Sequence, residues 1–66
     1  MKTLEELGYR KRYDNDFDLG YVDYANANEI YIRKDYKTVT KFTFGAQVSL
    51  SFDEVKAIAA LLEELK

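Results

Sequence analysis

The sequence predicts an α+β fold, in which a small antiparallel sheet of four to five strands carries a C-terminal helix on one face and a short N-terminal helix at one end. Three observations predict it. Residues 51–62 join a helix-start signature to an apolar stripe at helical spacing. The middle of the chain is a series of short β-branched and aromatic runs. Those runs are separated by turn chemistry, with no proline anywhere.

Thr3-Leu4-Glu5-Glu6 matches the pattern in which a Thr hydroxyl and a Glu carboxylate satisfy each other's backbone N–H groups at a helix start. Leu4 and Leu7 then share a face, and Gly8 suits the left-handed residue after a helix end, so residues 4–7 read as a short helix of one turn or two, too short to survive alone in water. Tyr9 to Tyr13 alternates ring and cation, a strand pattern, and Asp14-Asn15-Asp16 is a turn whose short side chains bond their own backbone. A second strand runs around Leu19–Tyr24 and is broken by Ala25-Asn26-Ala27-Asn28. A third covers residues 29–33, and Lys34-Asp35-Tyr36-Lys37 is a hairpin connection. Residues 38–44 form the clearest strand, β-branched and aromatic throughout, and Gly45-Ala46-Gln47 turns it into a short Val48-Ser49-Leu50 segment.

Ser51-Phe52-Asp53-Glu54 repeats the helix-start pattern, with Leu50 and Val55 placed as a hydrophobic staple. Val55, Ile58, Leu62 and Leu65 recur at three- and four-residue steps, with Ala59 and Leu61 widening the stripe, so the helix is expected over 52–65. Strict alternation then points Ile30, Ile32, Phe42, Phe44, Val48 and Leu50 at the helix, with Val22 and Tyr24 beside them. It points Tyr21, Asp23, Tyr31, Arg33, Val39 and Lys41 the other way.

Sixty-six residues make one domain, 1–66, near the lower limit for a fold without staples. There is no cysteine, so packing alone must hold it, although 47% apolar and 15% aromatic residues supply the material. Burial set against chain entropy leaves about 3–5 kcal/mol at this size. No apolar run is long enough to span a membrane, and the start of the chain lacks the apolar core of a signal peptide. The cytoplasm is the expected location. The net charge of −2 resides in residues 51–66, where Asp53, Glu54, Glu63 and Glu64 face only Lys56 and Lys66. A single-sign basic field of the kind duplex nucleic acid prefers is missing.

No histidine and no cysteine exist, which removes the commonest general base, the triads built on it and the thiol nucleophile. Three isolated glycines make no phosphate loop. The expectation is therefore a non-enzyme with no cofactor and no metal. Asp14, Asp16 and Asp18 sit at the alternate positions that open a calcium loop. Leu19, however, occupies the position that needs glycine, and Ala25 the one that needs the closing carboxylate. An acidic solvated turn is the better reading.

Two surfaces are candidates for binding. The sheet face away from the helix, with Tyr21, Tyr31, Arg33, Val39 and Lys41, sets aromatic anchors among cations, the mixture that protein interfaces favour. Alternatively, Tyr9, Arg10, Arg12 and Tyr13 mix rings and cations as single-strand nucleic-acid binders do, although the three aspartates that follow oppose phosphate. A structural homo-oligomer, with two such faces paired as a dimer, is the third class.

Met1-Lys2-Thr3-Leu4-Glu5-Glu6-Leu7-Gly8-Tyr9 and Leu50-Ser51-Phe52-Asp53-Glu54-Val55-Lys56-Ala57-Ile58 resemble the ends of short open reading frames of bacteriophages and prophages of Gram-positive bacteria. The resemblance implies a small accessory protein that modulates a host or phage macromolecule by binding it. It carries no catalytic residue with it.

Overall fold

The computed structural model describes residues 2–64. Five strands follow one another as a meander: β1 (Arg10–Asp14), β2 (Asp18–Asp23), β3 (Asn28–Arg33), β4 (Thr38–Thr43) and β5 (Ala46–Val48). The helix α1 (Phe52–Glu64) comes last. Each strand pairs antiparallel with its neighbours in the order β1-β2-β3-β4-β5, so β1 and β5 are the two edges. This is the expected α+β architecture. Leu65, expected on the helix stripe, lies outside the described residues.

The connections explain the simple order. Asn15 Oδ1 accepts hydrogen bonds from the N–H groups of Phe17 (2.9 Å) and Asp18 (2.8 Å), which closes the β1–β2 turn. The next two loops end on Ala27 and Lys37, both at φ 55°, and the tight turn into β5 uses Phe44 at φ 51° and Gly45 at φ 81°. Left-handed residues at such turns match the twist of the strands they join.

The N-terminal helix does not form. Thr3 and Glu6 make the reciprocal cap, at 3.0 and 3.2 Å, but the chain closes after one turn. Gly8 takes φ 103°, and the Tyr9 N–H donates back to the Leu4 carbonyl at 3.0 Å. A single turn places Leu4 and Leu7 against the core and then hands the chain to β1. Too few residues lie between cap and glycine to repay helix nucleation.

The core lies between α1 and one sheet face. It comprises Leu4, Tyr9, Leu19, Tyr21, Ile30, Ile32, Ala57 and Ile58, with Leu7, Val39, Leu50, Leu61 and Leu62 packed around them. Cross-strand partners share a face, so the pairs Leu19/Ile32, Tyr21/Ile30, Ile32/Val39 and Ile30/Lys41 assign that face to the helix. Ile30, Ile32 and Leu50 are where alternation put them.

Strands β2 and β4 are turned over relative to expectation. Tyr21 is only 3% exposed, inside the core, and Asp23, Val39 and Lys41 share its side of the sheet. Val22 and Phe42 point to the opposite face. Tyr24 and Phe44 lie in turns, at 74% and 84% exposure. Val48 keeps the helix side through its pairing with Lys41, but it sits at the edge and is exposed. The staple at the start of α1 is also absent, because Val55 is exposed while Leu50 turns into the core.

Lys41 reverses β4. Its ammonium donates to both carboxylate oxygens of Glu54, at 2.8 and 2.9 Å, with the two side chains only 12% and 8% exposed. Glu54 also accepts the Ser51 N–H at 2.8 Å and the Tyr9 hydroxyl at 2.5 Å, while its own N–H donates to Ser51 Oγ at 3.2 Å. The capping glutamate therefore ties the helix start to β4 and to the chain entering β1. Burial by itself would raise the Glu54 carboxyl, but the bonds from Lys41, Ser51 and Tyr9 outweigh it and hold the group below the usual carboxylate range. Burial, then the bond to Glu54, pushes the Tyr9 hydroxyl well above the usual phenol range.

Candidate functional site: the open sheet face

Among the described residues, no element covers the face opposite α1. Its side chains follow from the register. One row across the sheet is Tyr13, Gly20, Tyr31 and Thr40, and the next is Arg10, Val22, Glu29, Phe42 and Gln47. Asp18, Arg33 and Thr38 make a third. The register of β1 shifts between Lys11 and Tyr13, which inserts Arg12 as an unpaired residue. Such a bulge re-aims a side chain, and Arg12 Nη1 reaches Glu29 Oε1 at 3.8 Å on this face. All three arginines of the chain are thus gathered around three rings.

Gly20 makes room for the first ring. A Cβ there would fall 2.4 to 2.9 Å from ring atoms of Tyr13, so the Tyr13 ring rests directly on the β2 backbone. Beside it, Tyr31 meets Phe42 edge to face at 5.8 Å between centroids and 70° between planes. The Tyr31 hydroxyl donates to Glu29 Oε2 at 2.6 Å, and that bond raises its pKa. Val22, in the neighbouring row, is buried although no second layer lies there among the described residues. At the far end, Arg33 Nε contacts Asp18 at 3.0 Å and Nη2 contacts Asp35 at 3.2 Å, while the guanidinium lies 4.9 Å from the centre of the Tyr36 ring.

The two candidate surfaces read from sequence are each split by these positions. Of the five residues expected on the outer face, Tyr31 and Arg33 are there, whereas Tyr21, Val39 and Lys41 are on the helix side. Of the four alternative nucleic-acid contacts, Tyr9 is 3% exposed and bonded to Glu54, so it offers no stacking surface. The register and the Glu29 contact bring Arg10, Arg12 and Tyr13 to the open face, beside Tyr31 and Arg33. Val22, Phe42 and Glu29 complete the patch and were missed. The run Leu19–Asp23 is buried on both faces, which erases the alternation that would have placed Val22.

The acidic turn carries its own cation. Lys34 donates to the Asp14 carboxylate and, at 2.8 Å, to the Asn15 carbonyl, while its N–H donates to the Phe17 carbonyl at 2.8 Å. The bond from Lys34 is the main cause that holds the Asp14 carboxyl below its ordinary range. Among the described residues no cluster of acidic side chains gathers as a metal site, and no helix is long and apolar enough to cross a membrane. Comparison with protein-family models, with curated proteins and with solved structures returned no match.

Proposed function

We propose that the protein is a non-enzymatic interaction module, cytoplasmic in location, that modulates another protein by binding it through the open sheet face. One observation carries this reading: Tyr13, Tyr31 and Phe42 stand together with Val22 on an uncovered face, ringed by Arg10, Arg12 and Arg33. Tyrosine and arginine are the side chains that anchor protein interfaces: the tyrosine ring buries large area with few rotors and keeps a polar handle, and the guanidinium offers a planar fork of donors. A solvent face with no partner would carry lysine, glutamate and threonine instead. The resemblance of both chain ends to short phage and prophage reading frames supports an accessory role of this kind.

Arg12 and Arg33 are already paired, to Glu29 and to Asp18 and Asp35. Those carboxylates lower the attraction for phosphate and favour a protein partner. A second reading, single-stranded nucleic acid, rests on the Tyr13 ring lying on the sheet beside Arg10 and Arg12. Base stacking on that ring would appear as salt-dependent oligonucleotide binding, weakened by Arg10→Glu. No binding at about 50 mM salt removes it. For the protein reading, the test is capture from the source cells with wild type and with Arg12→Glu/Tyr13→Ser. Circular dichroism and a thermal melt verify that the double variant stays folded, since Tyr13 packs over Gly20 and Arg12 faces Glu29. A defined partner lost by the double variant supports the proposal, and undiminished capture overturns it.

A further inference from the structure

The two edges of the sheet are built differently. β1 carries Arg10, Lys11, Arg12 and Asp14 among its five residues and is broken by a bulge. These are the devices by which natural sheets keep an edge from pairing with another chain. β5 has neither charge nor bulge, and its one protection is its length of three residues. Ala46, Gln47 and Val48 are all exposed, and no charge occurs from Phe42 to Phe52. The same stretch and the start of α1 hold Phe44, Val48, Phe52 and Val55, at 84%, 39%, 87% and 46% exposure. Apart from tyrosines, Phe17 is the one other exposed large apolar side chain among the described residues.

The backbone of this edge is also aimed outward. After the two-residue turn at Phe44-Gly45, the closing pair Thr43/Ala46 exchanges the ladder hydrogen bonds, as does Lys41/Val48 two residues on. The N–H and carbonyl of Gln47, between them, face away from β4. We propose that β5 pairs antiparallel with β5 of a second copy of this chain, about a two-fold axis at Gln47, to make one continuous sheet of ten strands. Each Gln47 exchanges both backbone hydrogen bonds with its counterpart. The axis stands perpendicular to the sheet, so both α1 helices lie on the same side.

A second copy fits this edge for a reason of charge. Two identical edges repel when they are charged, and β1 would set cations against cations. The β5 edge has nothing to repel. A three-residue strand supplies few hydrogen bonds, so the apolar side chains around it must add to the association, and Val48, Phe52 and Val55 are placed near it in sequence on the helix side. This pairing is independent of the open-face reading, since it uses the sheet's edge and leaves Tyr13, Tyr31 and Phe42 uncovered.

The experiment is a charge exchange at Gln47, an exposed position whose side chain lies on the open face opposite Phe42. Sedimentation equilibrium from about 1 to 500 μM should show wild type as a dimer, twice the 7.7 kDa chain. Gln47→Lys and Gln47→Glu each set like charges across the axis and should be monomeric with unchanged circular dichroism. Mixed one to one, they should form a heterodimer. Amide exchange at Gln47 should be slow in wild type and fast in either variant alone. A wild type that is monomeric throughout, variants that remain dimeric, or a mixture that stays monomeric would each overturn the pairing. A monomer whose Gln47 amide becomes protected only with an added extended peptide would do so too, and would assign the edge to a partner strand.

Discussion

Replacing Lys41 with methionine tests the architecture at its most informative point. Methionine keeps the length of the side chain and removes its charge. In the fold described, the ammonium binds both oxygens of Glu54 in a place where both side chains are almost fully covered. Removing one partner of a buried pair costs about 3–5 kcal/mol, because the other charge is stranded. Glu54 would keep the Ser51 N–H and the Tyr9 hydroxyl, which places the cost near the lower end, about 3 kcal/mol. That is comparable to the whole stability of a fold this size, about 3–5 kcal/mol. At about 4–8 °C per kcal/mol for a small domain, Lys41→Met should lower Tm by about 12–24 °C in a thermal melt at neutral pH. A double variant with Glu54→Gln, which keeps a capping side chain, should cost less than the sum of the two single changes. An exposed lysine would change stability by about 0.5 kcal/mol or less. A Tm within a few degrees of wild type, with additive single changes, would refute the buried clasp and return Lys41 to the outer face.

The same clasp sets a pH dependence. The Glu54 carboxyl is lowered, so its contribution is fully present above the ordinary value of about 4.3 and is lost as pH falls through the folded value; Glu54→Gln should flatten the acid limb of Tm against pH. The Tyr9 hydroxyl is raised, so its contribution is present below about 10 and lost as pH climbs through the folded value, and Tyr9→Phe should flatten the alkaline limb. Ile58→Ala, at a site 3% exposed, should cost about 2–5 kcal/mol, and Leu62→Ala less, because Leu62 is half-buried; equal costs in denaturant titrations would contradict the docking of α1. Millimolar calcium should leave Tm unchanged, since Lys34 holds Asp14, whereas a site filled at a hundred times its dissociation constant would add about 2.7 kcal/mol.

The elements were legible in the sequence because they rest on local rules. Both capping boxes form with the predicted partners, the first four strands begin and end within a residue or two of the expected bounds, and Gly8 takes the left-handed conformation expected of it, whereas β5 begins at Ala46, inside the stretch read as a turn. Orientation was not legible where a strand breaks alternation. In β2, Val22 is buried on the face away from the helix while Asp23 is buried on the core side. In β4, hydrophobicity favours Phe42 inward, yet Glu54 draws Lys41 inward from thirteen residues away, and no local pattern reports that pairing. The candidate site suffered the same way. Tyr31 and Arg33 were correctly placed because β3 alternates strictly, while Tyr21, Val39 and Lys41 went astray with their strands. The bulge at Arg12 joined the two candidate surfaces on one face, and a bulge has no signature in the residues themselves.

A photocrosslinking amino acid at Tyr13, compared with one at Lys56, is the most direct test of the open face as the binding surface. Tyr13 lies on the uncovered side of the sheet, and Lys56 is exposed on α1. Irradiated in the source cells, the Tyr13 derivative should yield a discrete adduct with a second protein, and the Lys56 derivative should not. The same adduct from both positions, or from Lys56 alone, would contradict the assignment.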